Sequence, residues 1–146
     1  MSEPANSVHD TAGDGETSRA KGIAKMQEVY GFSVDPADIP GPYVAFTVDH
    51  LFGEVWTRSE LDIRDRRLMT IGVLAALGQS QLVEIQFQSA LDRNELTEDQ
   101  VRETVVHLAH YIGWPLSTGV NEAAEKVIAR RPKAAQKAAA EKAEHS

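Results

Sequence analysis

The run LTEDQVRETVVHLAHYIGWP, residues 96–115, decides the architecture. Thr97 stands three residues before Gln100, the spacing of a capping box, in which a hydroxyl and a side-chain amide each satisfy an N–H group left free at a helix start. Val101, Thr104, Val105, Leu108, Ala109 and Ile112 then recur at intervals of three and four, so they share one side of a helix. Gly113-Trp114-Pro115 interrupts the pattern.

Towards the N-terminus the same period continues. Ser80 is placed to cap a helix carrying Leu82, Val83, Ile85, Phe87, Ala90 and Leu91, which ends near Arg93 and Asn94. Asp62 is the expected N-cap of the helix before it, with Asp65 in its first turn against the positive end of the dipole. The apolar body of that helix, LMTIGVLAAL, closes at Gly78, and Ala75 and Ala76 let a neighbour approach closely. In residues 43–57, Val44, Val48, Leu51, Phe52, Val55 and Trp56 share one side. Thr47 and Val48 favour strands, but alternation fails across His50, Leu51 and Phe52, so the helical period decides.

The stretch DPADIPGP holds three of the six prolines and reads as a connection. Ile23, Met26 and Tyr30 predict a short helix over residues 18–30, weakened by Gly22 and ended by Gly31. At the other end, Val120, Ala123, Ala124, Val127 and Ile128 predict a last amphipathic helix from Ser117 or Thr118, broken by Pro132. The expected fold is all-α, a single domain of five or six helices over residues 17–131. Residues 1–16, with four acids and no base, read as a flexible acidic tail, and residues 132–146 as an Ala/Lys-rich tail. That basic tail reads as a solvated helix or as a contact for an acidic partner.

Composition narrows the function classes. The chain has 146 residues, enough for one domain with a sizeable core. Its formal charge of −7 disfavours a phosphate-binding surface, so nucleic acid is not an expected partner. No apolar run approaches a membrane span, no signal-peptide pattern opens the sequence, and the cytoplasm is the default location. Zero cysteines exclude disulfides, thiolate nucleophiles and any cysteine-dependent peroxidase chemistry within this chain. Only five histidines are present, and His107 with His110 lacks an identifiable third and fourth ligand, His50 and Glu54 being the remaining candidates, so a metal site is open but poorly supported.

The residues that can carry chemistry concentrate in the opening run. Spacings of three and four place Glu103, His107, His110, Tyr111 and Trp114 around adjacent strips of one helix. An imidazole can take or donate a proton near neutral pH, and Glu103 one turn earlier can fix the tautomer of His107. Both histidines sitting at an interhelical boundary with ordinary hydrogen bonds is the plainer alternative. Arg64, Arg66 and Arg67 interleave with Asp62 and Asp65, and an inward arginine fork can hold a carboxylate. Arg66 or Arg67 is favoured, because Arg64 can pair within the first helical turn. Gln86 can orient a polar ligand or face solvent. His50 and Glu54 read as a surface pair, Met26 and Met69 as core fillers, and Phe52 and Trp56 as packing anchors.

The ordered combination LAALG, ALDRNELTEDQVRE and HLAHYIGWP resembles the carboxymuconolactone decarboxylase family, which includes alkylhydroperoxidase D-like proteins, over about residues 41–130. The resemblance implies an all-α protomer assembled into homo-trimers or homo-hexamers, with pockets near subunit contacts. It also implies a lyase acting without a cofactor on a small anionic lactone or carboxylic acid. His107, Tyr111, Gly113 and Pro115 agree with the family pattern. Gln79 and Leu82 stand where the redox branch has cysteines, Gln86 where a histidine is common, and Arg67 where a glutamate is frequent. The mechanism this implies gives proton transfer to His107, anion binding to Arg66 or Arg67, and orientation of the ligand to Gln86 and Tyr111. A cofactor-independent isomerase, cyclase or dehydratase, or a noncatalytic oligomeric ligand-binding protein, are the other readings of the same pocket.

Overall fold

The computed structural model describes residues 12–33, 35 and 41–145. Among these residues the chain is helical with no strand. The helices are α1 (Ala12–Tyr30), α2 (Pro42–Phe46, continued by a π-helical stretch, Thr47–Val55), α3 (Ile63–Ala76), α4 (Ser80–Asp92), α5 (Glu98–Ile112), α6 (Trp114–Arg130) and α7 (Lys133–Glu144). That is seven helices among the described residues, where the sequence pattern suggests five or six. None is long and apolar enough to cross a membrane.

Three boundaries differ from expectation for physical reasons. Helix α1 takes in residues 12–16, assigned above to a tail; the rest of that tail, and most of the proline-rich connection, lie outside the described residues. Ser80 does not cap α4. Gly78 adopts φ +70° and the Gln79 N–H donates to the Leu74 carbonyl at 2.9 Å, a left-handed helix ending that leaves Ser80 already inside the next helix. Helix α6 starts at Trp114 rather than Ser117, because Pro115 in the first turn lacks only an N–H that would have no intrahelical partner.

The chain divides into two units. In the first, residues 12–28 and 32–59 of the described chain, α1 and α2 touch where both lack a side chain. A Cβ on Gly22 would run into the Val48 carbonyl, and one on Gly53 would lie 2.7 Å from the Ser18 carbonyl. The glycine that weakens α1 as an isolated helix is therefore what admits its neighbour. Arg19 grips Asp49 through two bonds of 3.0 and 3.2 Å. In the π stretch Trp56 N–H reaches back to the Leu51 carbonyl at 2.9 Å, and the wider turn aligns Val48, Phe52 and Trp56, all buried. Leu51, expected on that buried side, is exposed.

The second unit, residues 29–31 and 60–145, contains the main core. Ile71, Val83, Phe87, Leu91, Leu96, Val101, Val120 and Val127 meet there, with α6 packed on both α4 and α5. Asp62 caps α3 through the Asp65 N–H at 2.8 Å, and the Thr97–Gln100 capping box forms in both directions at 3.1 and 3.0 Å. Arg102 of α5 holds Glu125 of α6 at 2.9 and 3.1 Å, which pulls the Glu125 carboxyl below the usual carboxylate range. Lys126 and Arg130 reach Glu84 of α4 at 2.9 and 2.6 Å, and these bonds, that of Lys126 foremost, lower its carboxyl in the same way. Met69, read above as a core filler, is exposed, as are Val73, Leu77 and Leu82.

One charged side chain sits inside this core. Arg67 is 1% exposed. Its Nε and Nη2 donate to the Glu95 carboxylate at 2.5 and 3.2 Å, Nη1 donates to Gln86 Oε1 at 2.8 Å, and Nη2 also donates to the Val29 carbonyl at 2.7 Å. That carbonyl and the one of Tyr30, which accepts from Ser89 Oγ at 2.5 Å, belong to the last turn of α1, where a helix end turns its carbonyls to acceptor roles outside the helix. A guanidinium taken out of water is tolerated only when paired in this way. Glu95→Ala leaves the charge uncompensated and is expected to cost about 3–5 kcal/mol in urea unfolding, with Arg67→Met/Glu95→Leu losing less than the single change. Equal stability of Glu95→Ala and wild type would contradict this account.

Candidate functional site

The turn that carries Glu95 and Leu96 leads from α4 into α5. The turn is tight: Asn94 adopts φ +56°, and the N–H groups of Glu95 and Leu96 donate to the Ala90 carbonyl at 2.9 and 3.3 Å. Beside it lies a hollow of about 540 Å³, within the range of small-molecule sites. Leu68, Leu96 and Leu108 give it an apolar lining, with Met69 at the rim. Its polar groups are Arg64 from the first turn of α3, and Gln100, Glu103, Thr104 and His107 from α5.

The α5 residues occur at steps of three and four, so the helical period that buries Val101 and Val105 puts Gln100, Glu103, Thr104 and His107 together on another strip. His107 is exposed, and neither ring nitrogen has a hydrogen-bond partner among the described residues. Its ring lies 5.0 Å from that of Tyr111, one turn on. Arg64 Nε donates to the Glu95 carbonyl at 3.0 Å, its Nη1 lies 3.7 Å from Asp65, and the residue lines the hollow. Thr104 spends its hydroxyl proton on the Gln100 carbonyl at 2.8 Å and can only accept there.

The sequence-derived candidates separate into three places. His107 lines the hollow. Tyr111 is 78% exposed and touches His107 without forming part of the wall. Arg67 and Gln86 are joined to each other in the buried cluster with Glu95, behind the hollow rather than in it. Arg66 turns its Nε to the Leu61 carbonyl at 3.2 Å and is likewise absent from the lining. The arginine at the hollow is Arg64, set aside above because Asp65 is its neighbour; tertiary contact with the Glu95 carbonyl outweighs that weak local pair. Gln100, read only as a cap, is also in the wall. The interval of seven between Gln100 and His107 is the signal that places them together.

The second histidine of the run faces elsewhere. His110 Nδ1 bonds the Val106 carbonyl at 2.7 Å and its ring meets Trp114 edge-on at 5.7 Å, beside a separate hollow of about 340 Å³ between α5 and α6. In the first unit His50 and Glu54 form an exposed pair at 2.7 Å. No group of three or more histidine and carboxylate side chains suited to a metal ion occurs among the described residues.

Residues 42–126 match the model of the Carboxymuconolactone decarboxylase family. A 4-carboxymuconolactone decarboxylase of Acinetobacter baylyi is 36% identical over 77 residues, 53% of this chain and 57% of that protein. Nitrosuccinic acid decarboxylase npaB of Metarhizium robertsii is 37% identical over 65 residues, 44% of each chain. The chain thus spans about half the length of the curated relatives it matches. In the hollow itself the geometry predicts that Arg64→Ala weakens binding of a small dicarboxylate such as succinate by about tenfold or more, the loss of one charge-assisted contact. Arg66→Ala is expected to leave it within about twofold. Calorimetric titration of both variants checks this, and equal effects would detach Arg64 from the site.

Proposed function

The chain belongs to the carboxymuconolactone decarboxylase family and has its all-α, alkylhydroperoxidase D-like fold, and from that premise we propose a carbon–carbon lyase that decarboxylates a small anionic lactone or carboxylic acid. The observation that supports this most is an unengaged imidazole, His107, in the same hollow as a guanidinium, Arg64. The substrates named for the two relatives are acids bearing an electron-withdrawing group, a lactone carbonyl in one and a nitro group in the other. Such a group accepts the electron pair that decarboxylation releases, so the chemistry asks for no metal or organic cofactor.

In this reading Arg64 pairs with a carboxylate that the substrate keeps, since gripping the departing one would stabilise the ground state instead. The carboxylate to be lost lies against Leu68, Leu96 and Leu108, where an anion is poorly solvated and its loss as neutral carbon dioxide is favoured. As the carbon–carbon bond breaks, the electron pair passes into the substrate's withdrawing group. Protonated His107 then delivers its proton to the carbon and recovers one from water. Tyr111 holds the imidazole ring in orientation. Arg67 and Gln86 act from behind, through Glu95, whose carbonyl holds Arg64; Arg66 takes no part.

The same reading includes assembly into a homo-trimer or homo-hexamer. Met69, Val73 and Leu77 follow one another at intervals of four along α3 and its C-cap and are 55%, 60% and 66% exposed, a row that a second copy would cover. Since Met69 also borders the hollow, the covering copy would border the site. Sedimentation equilibrium is expected to give three or six chains, and Val73→Glu fewer; a monomeric wild type would overturn the assembly.

Carbon dioxide release from 4-carboxymuconolactone and from nitrosuccinate tests the activity. His107→Ala is expected to lower kcat/KM by about a hundredfold or more, the size of a lost proton-transfer group. Undiminished turnover would remove His107 from the mechanism. Conversion without carbon dioxide would instead identify an isomerase, cyclase or dehydratase, and binding without conversion a ligand-binding protein.

A further inference from the structure

The capping box of α5 uses only half of its glutamine. Thr97 N–H is a donor, so the group it meets at 3.0 Å must be the amide oxygen of Gln100, and the amide orientation follows without ambiguity. The Gln100 NH2 is thereby turned away from the cap, with no acceptor among the described residues. Gln100 lines the hollow together with Arg64 and His107. A fixed pair of N–H donors beside a guanidinium is suited to an oxyanion, and because the cap already holds the side chain, little rotamer freedom remains to be lost on binding.

The choice of residue points the same way. A capping box accepts glutamate as readily as glutamine, and at a helix N-terminus a carboxylate has the further advantage of the dipole. Glu98 and Asp99 of the same turn are acidic. Glutamine at position 100 forgoes that stabilisation and leaves Glu103 as the one carboxylate in the wall that Arg64 shares.

We infer that Gln100 is a specificity-determining residue of this hollow: its side-chain NH2 donates to an oxygen of the carboxylate held by Arg64, selecting an anionic ligand over its neutral amide. The inference rests on the hollow being the ligand site proposed above, yet it concerns binding and does not require decarboxylation. Gln100→Glu separates the two duties of the residue, because the cap survives the change and the donor does not.

The test uses the full chain, labelled with nitrogen-15, and succinate as the probe, with succinamide as its uncharged counterpart. Succinate is expected to shift the Gln100 side-chain NH2 resonances saturably in the wild type. Gln100→Glu is expected to weaken succinate binding by about tenfold or more, to leave the midpoint of thermal unfolding no lower than wild type, and to change succinamide binding little. Succinate binding to Gln100→Glu within twofold of wild type, NH2 resonances that stay still at saturation, or no succinate binding to the wild type at all would each overturn the inference. Failure of the decarboxylase reading shows separately, as succinate binding that is intact in a protein releasing no carbon dioxide.

Discussion

A buried guanidinium is the constraint on which the second unit is organised. Arg67 lies inside a helical core, where an unpaired charge would cost several kcal/mol, so each element around it must present an acceptor. Glu95 supplies its carboxylate from the α4–α5 turn, Gln86 its amide oxygen from α4, and Val29 a carbonyl from the end of α1. The carboxylate of Glu95 also takes Arg93 at 2.7 Å, while its backbone carbonyl takes Arg64. A single residue in a five-residue connection thus ties the interior charge to the arginine at the hollow. Displacing Glu95 would release both.

Helix α5 shows how one periodic sequence serves two surfaces. Val101, Val105 and Ala109 face the core, while Gln100, Glu103, Thr104 and His107 face the α3 side. His110 falls on the α6 side, against Trp114. Two histidines three residues apart are therefore on different walls of the same helix, in different chemical settings. The capping box starts the helix and Gly113, at φ +82°, ends it and redirects the chain into α6. Those two local signals fix the length over which the polar strip can run.

Legibility varied with how local the cause was. The capping box, the Asp62 cap and the apolar stripe of α5 are set by residues within a turn or two of each other, and they stand where the pattern puts them. Met69 looks like a core residue in the sequence because Leu68, Ile71 and Ala75 around it do turn inward, but an α3 residue one step away from them is aimed elsewhere. Arg67 and Gln86 resemble surface or site residues in the sequence, because nothing local announces that a carboxylate 28 residues later will meet the guanidinium. Arg64 has a local partner in the sequence, Asp65, but that lies 3.7 Å away, and the closer partner is a backbone carbonyl from another connection.

The amino-acid sequence alone determined an all-helical, cysteine-free chain, the start and end of α5, and a polar strip bearing His107, since caps, turns and periodicity act over a few residues. Only the tertiary structure decided which arginine is interior and which borders the hollow, and that the Gln100 amide shares a wall with Arg64. Those outcomes depend on where distant carbonyls and carboxylates come to rest once α3, α4 and α5 have packed, and a long polar side chain follows its acceptor rather than its position in the sequence.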